Sequence, residues 1–357
     1  MLMHAKYLEE LKILDTEILL SHPRIPSAVA ALTSLKSISF PELNEAASKI
    51  LQESRSPLAK VEIGFWTDQT IGPGDPAPLL FRFAHSLREL RVTYAEFSRQ
   101  DVLYPQLDTL VIDDCRFALA RPIIACFPNT RDLSLWTGQE DEDLEVEEIE
   151  EHRQTNIQAQ ETIRWECIQH LRGDIRSLYL LGLTCRVEHL DVHSAFLTSI
   201  RSDQLSTLLS DGRPSMLSIR IRVPIFDRAV VQRALRPVRD SLTRLIVYIN
   251  FFEETDLEAQ DQANSFIDAL SRALDQSAIT HLVVHLSSHD PEADPLILLD
   301  PERLAEAALR HGPSVQYIAL VDHNGQPAKS WEVVPGTRTL LVLDAAEALR
   351  RLAQAQE

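Results

Sequence analysis

The sequence predicts an α/β solenoid in which a parallel β-sheet forms the concave face and helices form the convex face. Apolar residues recur at steps of three and two along most of the chain, and helical segments separate these recurrences. With 45% hydrophobic and 25% charged residues, the composition is that of a folded protein. A chain of 357 residues built in this way grows by repetition rather than by enlarging one core.

The repeated motif is clearest in LDTLVIDDCRF, which begins at Leu107 and places apolar residues at Leu110 and Ile112. The ninth position of the motif holds Cys115 here and Asn250 in LTRLIVYINFF, where an inward polar group can satisfy backbone groups at a turn. Similar motifs begin at Leu35, Leu58, Leu87, Leu107, Thr130, Ile175, Val187, Met216, Leu242, Ile279 and Val315. Their mean spacing of about 28 residues predicts an irregular leucine-rich repeat of the long helical class.

Helical periodicity fills the intervals between strand motifs, as in PELNEAASKILQE, FDRAVVQRALRPVRD, QANSFIDALSRALDQ and PERLAEAALRHG. We expect Pro41 and Pro301 to open two of these helices and Gly312 to end the last one. Because a solenoid needs covers at its ends, three regions are predicted. They are an amphipathic N-terminal helical cap (1–34), the leucine-rich-repeat solenoid (35–325) and a C-terminal cap with two short strands and the helix AAEALRRLAQA (326–357).

The longest interval between motifs contains the acidic run EDEDLEVEEIEE, in which nine of the twelve residues at 140–151 are Asp or Glu. Nine carboxylates cannot be buried between stacked repeats without a large desolvation cost, so we expect residues 139–154 to form a solvated loop insertion. A docking site for a basic partner is the alternative interpretation. The next segment, NIQAQETIRWECIQHLRG, is predicted to be a helix.

The formal net charge of −18 disfavours nonspecific binding to nucleic acids and to anionic membranes. Four cysteines without a CxxC pair predict reduced thiols and a cytoplasmic or nuclear location. The common catalytic motifs GxSxG, HExxH, GxGxxG and GK[ST] do not occur. We therefore expect no catalytic residues and no cofactor, and an enzyme of unknown chemistry is only the third hypothesis.

Two histidine pairs, His189 with His193 and His281 with His285, suggest a metal site at first sight. Both pairs lie on strand motifs, where a spacing of four residues separates the Cα atoms by roughly 13 Å. This separation is too large for two ligands of one zinc ion. No metal site is predicted.

The outward positions of the strand motifs predict a binding stripe on the concave face, because side chains alternate along a strand. The candidate partner-binding residues in this stripe are Trp136, Tyr179, His193, Arg220, Arg222, Tyr248 and His285. Trp, Tyr and Arg dominate binding hot spots, and the two histidines predict an affinity that changes between roughly pH 5.5 and 7.5. Alternatively, the three aromatic side chains only cover an apolar floor.

The chain resembles the leucine-rich-repeat region of fungal, especially basidiomycete, F-box-like proteins over about residues 30–345. The resemblance rests on the segments SLRELRV…YPQLDTLVIDDCRF…FPNTRDLSLW and on Trp331. The resemblance implies a protein-protein interaction scaffold whose repeats hold a substrate, while an F-box binds the cullin ubiquitin-ligase adaptor. Residues 1–34 show no Leu-Pro start of an F-box. The alternative is therefore an orphan leucine-rich-repeat binding protein without ubiquitin-ligase coupling.

Overall fold

The computed structural model divides the chain into two compact units, Met1–Cys185 and Arg186–Glu357, each of which is described by itself. The described residues are 5, 7–22, 24–65, 74–114, 119–136, 146–193, 199–223, 228–251, 256–275, 277–288 and 299–356. Within these ranges, side chains are described for all residues except 199–200, 222–223, 228–230, 250–251, 256–262 and 288.

The first unit contains a parallel β-sheet whose strands lie side by side in chain order. Its described strands are β1 (Glu10–Lys12), β2 (Ser37–Phe40), β3 (Lys60–Gly64), β4 (Glu89–Thr93), β5 (Thr109–Asp113), β6 (Asp132–Leu135) and β7 (Cys167–Asp174). Its described helices are α1 (Glu17–Ser21), α2 (Arg24–Ala30), α3 (Glu45–Glu53), α4 (Pro76–Leu79), α5 (Ala120–Cys126), α6 (Val146–Gln160) and α7 (Ile175–Leu181).

Apolar side chains from the repeated motif form the core of this unit. The fourth motif position places Ile38, Val61, Leu90, Leu110 and Leu133 in register across β2 to β6. The sixth position likewise aligns Phe40, Ile63, Val92, Ile112 and Leu135. All ten side chains are buried, so the prediction of inward positions is confirmed for these five motifs.

The N-terminal region differs from the prediction of a purely helical cap. Residues Glu10–Lys12 form β1, which pairs in parallel with β2, and two short helices follow it. The next helix, α3, begins at Glu45 rather than at Pro41. The side chain of Asn44 accepts a hydrogen bond from the amide of Ala47 at 2.9 Å and so caps the helix.

The motif prediction was wrong at Ile175, because residues Ile175–Leu181 form helix α7. Asp174 caps this helix by accepting from the amide of Ser177 at 2.9 Å, and Gly182 ends it in the left-handed conformation at φ 57°. The strand of this repeat is β7, which lies in the segment that the sequence predicted to be a helix.

The acidic segment also differs from the prediction of a loop insertion. Residues 146–154 belong to helix α6, which packs between α5 and α7, whereas the earlier part of the segment lies outside the described residues. Buried polar side chains hold the helix: Asn156 accepts from the amide of Ala120 and donates to the carbonyl of Leu180, both at 2.9 Å. Gln160 donates to the carbonyl of Gly182 at 2.9 Å. Hydrogen bonds of the Asn156 and Gln160 side chains therefore hold this helix in place, where an apolar stripe would usually do so.

The second unit contains seven described strands, which also lie side by side in chain order. They are β8 (Arg186–His193), β9 (Met216–Val223), β10 (Arg244–Phe251), β11 (His281–Ser288), β12 (Tyr317–Val321), β13 (Pro327–Val334) and β14 (Thr339–Val342). Strands β8 to β12 are parallel, and the predicted C-terminal strands β13 and β14 continue the sheet in antiparallel orientation. The described helices are α8 (Ser199–Gly212), α9 (Arg228–Leu235), α10 (Asp256–Leu274), α11 (Pro301–His311) and α12 (Ala345–Gln356).

Helices cover both faces of this sheet. On one face, Leu205 of α8, Val231 of α9 and Phe266 of α10 line the same apolar space as Ile219 and Val247. The opposite face carries α12. Helix α11 begins at Pro301, as predicted, and the Gly312 that follows it serves as its C-cap.

The register corrects one motif frame in this unit. Leu217 pairs with Leu245 and with Leu190, so the motif assigned to Met216 begins two residues too late. A shift of two residues keeps every side chain on its predicted face, because strand side chains alternate with a period of two. The corrected frame nevertheless places Arg220 in the row of Tyr248 and Arg222 in the row of Asn250.

Candidate binding surface

Four of the seven candidate residues lie in one row across the sheet of the second unit. His193 pairs with Arg220, Arg220 with Tyr248, and Tyr248 with His285. Side chains at paired positions of neighbouring strands project from the same face of the sheet, about 4.8 Å apart. The strand register therefore brings together residues from four repeats on the predicted face, with Arg220 rather than Arg222 in this row.

The side chains of this row stack on one another. The guanidinium carbon of Arg220 lies 4.7 Å from the centroid of the Tyr248 ring, which is the geometry of a cation–π contact. The Tyr248 and His285 rings are stacked, with their centroids 4.4 Å apart and an interplanar angle of 16°. At the other end of the row, His193 Nε2 lies 3.3 Å from Asp191 Oδ1. Arg220, Tyr248 and His285 thus form a stack of one cation and two aromatic rings.

Both histidines of β11 have lowered pKa values. Burial, and then the charge of Arg220, lower the pKa of His285 from 6.5 to about 4. Burial, and then Arg244 and Arg351, lower the pKa of His281 as well. His285 is therefore neutral between pH 5.5 and 7.5, so its protonation does not supply the change that the sequence predicted in this interval.

An apolar floor lies beside this row. Ile246, Val283 and Ala319 are paired across β10, β11 and β12, and their exposed fractions are 2%, 1% and 0%. They form a buried cluster with Leu352 and Ala355 of α12, and Tyr248 packs against the cluster. The C-terminal helix therefore lies across the face of the sheet on which the sequence predicted a binding stripe.

Polar contacts hold α12 at its two ends and at its centre. Arg351 donates to Glu332 of β13 at 2.6 Å. The side-chain amide of Gln356 lies 3.2 Å from Nε2 of His285. The hydroxyl of Tyr317 lies 3.4 Å from the carbonyl oxygen of Ala348. These contacts place the helix over β11 and β12, whereas the sequence predicted only a cover for the end of the solenoid.

The remaining three candidates do not join this row. The backbone of Arg222 pairs with Asn250, but its side chain lies outside the described residues. Trp136 belongs to the first unit, where it follows β6 and its amide donates to the carbonyl of Ile112 at 3.0 Å. It is half-buried.

Tyr179 lies on helix α7 rather than on a strand, so its assignment to the sheet face was wrong. Its hydroxyl donates to Glu150 Oε2 at 2.7 Å, and the guanidinium carbon of Arg153 lies 4.5 Å from its ring centroid. Hydrogen bonds from Gln154 and then from Tyr179 lower the pKa of Glu150. Tyr179 therefore helps to seat the acidic helix α6 against α7.

The corresponding face of the first unit carries polar and charged side chains. Lys60 pairs with Glu89 at 2.8 Å, and His170 Nδ1 lies 2.6 Å from Asp132 Oδ1. In the next rows, Arg91 of β4 lies 3.7 Å from Asp113 of β5, and Lys12 of β1 reaches across β2 to Glu62 of β3 at 3.9 Å. Exposed members of this face include Lys60, Arg91, His170 and Arg172. We call this surface the charged face.

Both histidine pairs lie on strands, β8 and β11, as the sequence predicted. Across the described ranges, no cluster of three or more His, Cys, Asp or Glu side chains could hold a metal ion. The three described cysteines, Cys126, Cys167 and Cys185, are free thiols. Burial raises the pKa of Cys126 and of Cys185 to about 11, so both thiols are protonated at neutral pH.

The sequence did contain a signal for the helix on the sheet face. The outward positions Ile246, Val283 and Ala319 are apolar in three successive strands. A row of apolar outward residues needs a cover, because exposed contiguous apolar surface is unfavourable in water. The apolar positions of α12, Leu352 and Ala355, provide it.

Comparison with known proteins gives no family assignment. No protein-family model matches the chain, and no curated protein sequence matches it significantly. Within the described ranges, no helix combines the length and the apolar composition that crossing a lipid bilayer requires.

Proposed function

We propose that the chain is a leucine-rich-repeat scaffold that binds another protein, as the substrate-recognition part of an F-box-type ubiquitin-ligase receptor does. The observation that carries this proposal is the order of the strands. In each unit, a helix separates most successive strands, and strands that follow one another along the chain are neighbours in the sheet. Such repeats present an extended row of side chains that suits a macromolecular partner.

The charged face supports a partner that is recognised by charge. The side chains of Lys60 and Arg91 are exposed, so they can leave their present ion pairs and pair with carboxylates of another protein. Exposed pairs contribute little to folding, so their charges are available for steering an association. With a net charge of −18, we expect a protein partner in the cytoplasm or the nucleus rather than nucleic acid or a membrane.

One observation favours a repeat protein without ligase coupling as the second candidate. Residues Glu10–Lys12 pair with β2 as part of the repeat sheet. This stretch therefore serves the scaffold instead of the helical module that binds the cullin adaptor. An enzyme of unknown chemistry remains the third hypothesis.

Binding of the purified full-length chain to the cullin ubiquitin-ligase adaptor separates the first two candidates. The receptor hypothesis predicts a complex with a dissociation constant of about 10 μM or tighter, measured by biolayer interferometry. Absence of binding at this concentration refutes the ligase role and leaves the scaffold proposal intact.

A charge-reversal variant tests the scaffold itself. The double variant Lys60→Glu with Arg91→Glu changes the charged face, and Lys49→Glu on α3 is the matched control away from the sheet. Quantitative affinity capture from basidiomycete lysate should recover a partner with the parent and with the control, but not with the double variant. Circular dichroism must show that all three chains are folded. Equal recovery by all three excludes the charged face as the binding site.

A further inference from the structure

Strand β14 has one open edge. It pairs with β13 in antiparallel orientation, and among the described residues no strand pairs with its other edge. The amide of Leu343, just after β14, donates to the carbonyl of Ser330 at 3.0 Å. In an antiparallel ladder, residues bonded to the neighbouring strand alternate with residues whose amide and carbonyl point the other way. The backbone groups of Leu340 and Val342 therefore point towards the open edge.

The side chains at this edge are apolar. Leu341 and Val342 are 53% and 57% exposed. Edge strands are usually protected from pairing with another chain by charged residues or by proline. In the first unit, β1 follows this rule with the exposed Glu10 and Lys12, whereas the sequence of β14, TLLV, contains neither a charge nor a proline. The edge of β14 is therefore suited to pairing with a further strand.

The neighbouring helices leave room for a further strand. Helix α11 packs against β12 and β13, and α12 packs against β11 and β13. Arg351 of α12 donates to Glu332 of β13 at 2.6 Å, which holds the helix on the inner side of β14. A strand added about 4.8 Å beyond β14 therefore continues the sheet without displacing either helix.

The open edge is complementary to a second copy of itself. When two β14 strands run antiparallel with Leu341 opposite Leu341, Leu340 of each copy meets Val342 of the other. Both residues point their backbone groups outward, so they form hydrogen-bonded pairs. A two-fold axis at Leu340 or at Val342 would instead pair the other residue beyond the end of β14. The register centred on Leu341 also brings Arg338 of each copy next to Asp344 of the other, so opposite charges meet at both ends.

We propose that β14 is a self-association site, at which two copies of the chain join their sheets through antiparallel β14 strands around a two-fold axis at Leu341. Main-chain hydrogen bonds provide the attraction, as in other cases of strand addition, and the Leu341 side chains meet at the axis. Because the contact is short, we expect a dissociation constant of roughly 10–100 μM. The proposal goes beyond the scaffold function, which a monomer also performs, and gives each dimer two charged faces.

The mass of the unaltered full-length chain in solution is the first test. Sedimentation velocity at about 0.15 M salt is suitable, because the net charge of −18 on each copy opposes association at low ionic strength. Between about 1 and 300 μM, the mass should rise from 40.4 kDa towards twice this value. A mass that stays at 40.4 kDa throughout this range overturns the proposal, and this measurement needs no variant.

Charged substitutions at the axis test the register. Leu341→Lys and Leu341→Glu each place like charges directly opposite one another, so either variant alone should have a dissociation constant at least tenfold higher than the parent. An equimolar mixture of L341K and L341E should recover the dimer, because opposite charges then meet at the axis. Leu349→Lys, at a position of α12 that is 44% exposed, is the matched control and should dimerise like the parent.

Three results of this experiment contradict the proposal. They are dimerisation of folded L341K as tight as that of the parent, a mixture of L341K and L341E that stays monomeric, and equal weakening by L349K. Circular dichroism identifies the folded variants. None of these measurements uses an external partner, so failure of the self-association proposal is distinct from failure of the scaffold proposal.

Discussion

The two units differ in what lies on the second face of the sheet. Each has a mostly parallel sheet with a layer of helices on its first face, and parallel sheets are usually buried on both faces. In the first unit the second face remains polar, with ion pairs such as Lys60 with Glu89 between neighbouring strands. In the second unit the central row is apolar, and α12 covers it.

This comparison shows that the outward residues determine whether a sheet face stays accessible to solvent. Opposite charges on neighbouring strands are compatible with water and stabilise the sheet slightly. An apolar row is stable only when another element removes it from water. The charged face of the first unit therefore remains accessible, whereas α12 covers the apolar row of the second unit.

The largest effect should come from placing a charge in the two faces at matched positions. Val283→Asp puts an unpaired carboxylate beneath α12 and should lower the free energy of unfolding by roughly 3–5 kcal/mol. Ser134→Asp, at the corresponding position of its repeat and half-buried on the charged face beside Arg172, should cost only about 1 kcal/mol through lower strand propensity. Urea denaturation measures both. Equal losses would mean that the two faces are equally buried.

The helical layers differ as well, and Asn156 provides the test. Helix α6 of the first unit is seated by amide hydrogen bonds, whereas α11 of the second unit buries Leu304, Ala305 and Ala308. Replacing Asn156 by Leu leaves the amide of Ala120 and the carbonyl of Leu180 without their partner. The free energy of unfolding should fall by about 2–4 kcal/mol. Gln158→Leu, at an exposed position of α6, should be nearly neutral; a similar loss there would contradict the amide-based seating.

Acidification should weaken the second unit through His285, whose neighbours are Arg220, Tyr248 and Gln356. The pKa of His285 is lowered in the folded state, so between about 4 and 6.5 the unfolded chain binds more protons. Stability is therefore complete above pH 6.5 and decreases as the pH falls towards 4. In His285→Phe, which keeps an aromatic ring beside Tyr248, the urea midpoint should depend less on pH. An unchanged pH dependence would exclude His285 as its source.

The smallest effect is expected on the charged face, at Asp113. Burial raises the pKa of this carboxyl and Arg91 opposes the rise, so the folded state disfavours the charged form. Its stabilising contribution is present below pH 3.8 and is lost as the pH rises through the folded value. Asp113→Asn should therefore raise stability at pH 7 by a few tenths of a kcal/mol, because the group is partly exposed. The difference from the parent should vanish in acid; a difference that persists there would show another cause.

Much of the scaffold could be predicted from the sequence. The motif starts at Leu35, Leu58, Leu87, Leu107 and Thr130 predicted strands, and their inward positions are the buried rows of the first unit. The alternation of side chains along a strand also predicted the face on which His193, Arg220, Tyr248 and His285 meet. Local periodicity determines these features because a strand has only two faces.

The errors arose where long-range contacts outweighed local pattern. The acidic start of α6 resembled a loop because no apolar stripe marks the helix, and the amides of Asn156 and Gln160 find their carbonyls only in the folded unit. The motif at Ile175 satisfied the apolar spacing, yet Asp174 and Gly182 cap a helix there.

Local sequence determined the repeated strands, most of the helices and the outward direction of the candidate residues. Tertiary structure alone decided which of these outward surfaces is covered. The sequence shows that α12 has an apolar stripe, but not which surface that stripe meets, because hydrophobic attraction has no direction of its own. Strand register brings Ile246, Val283 and Ala319 into one row, and this row selects the position of Leu352 and Ala355.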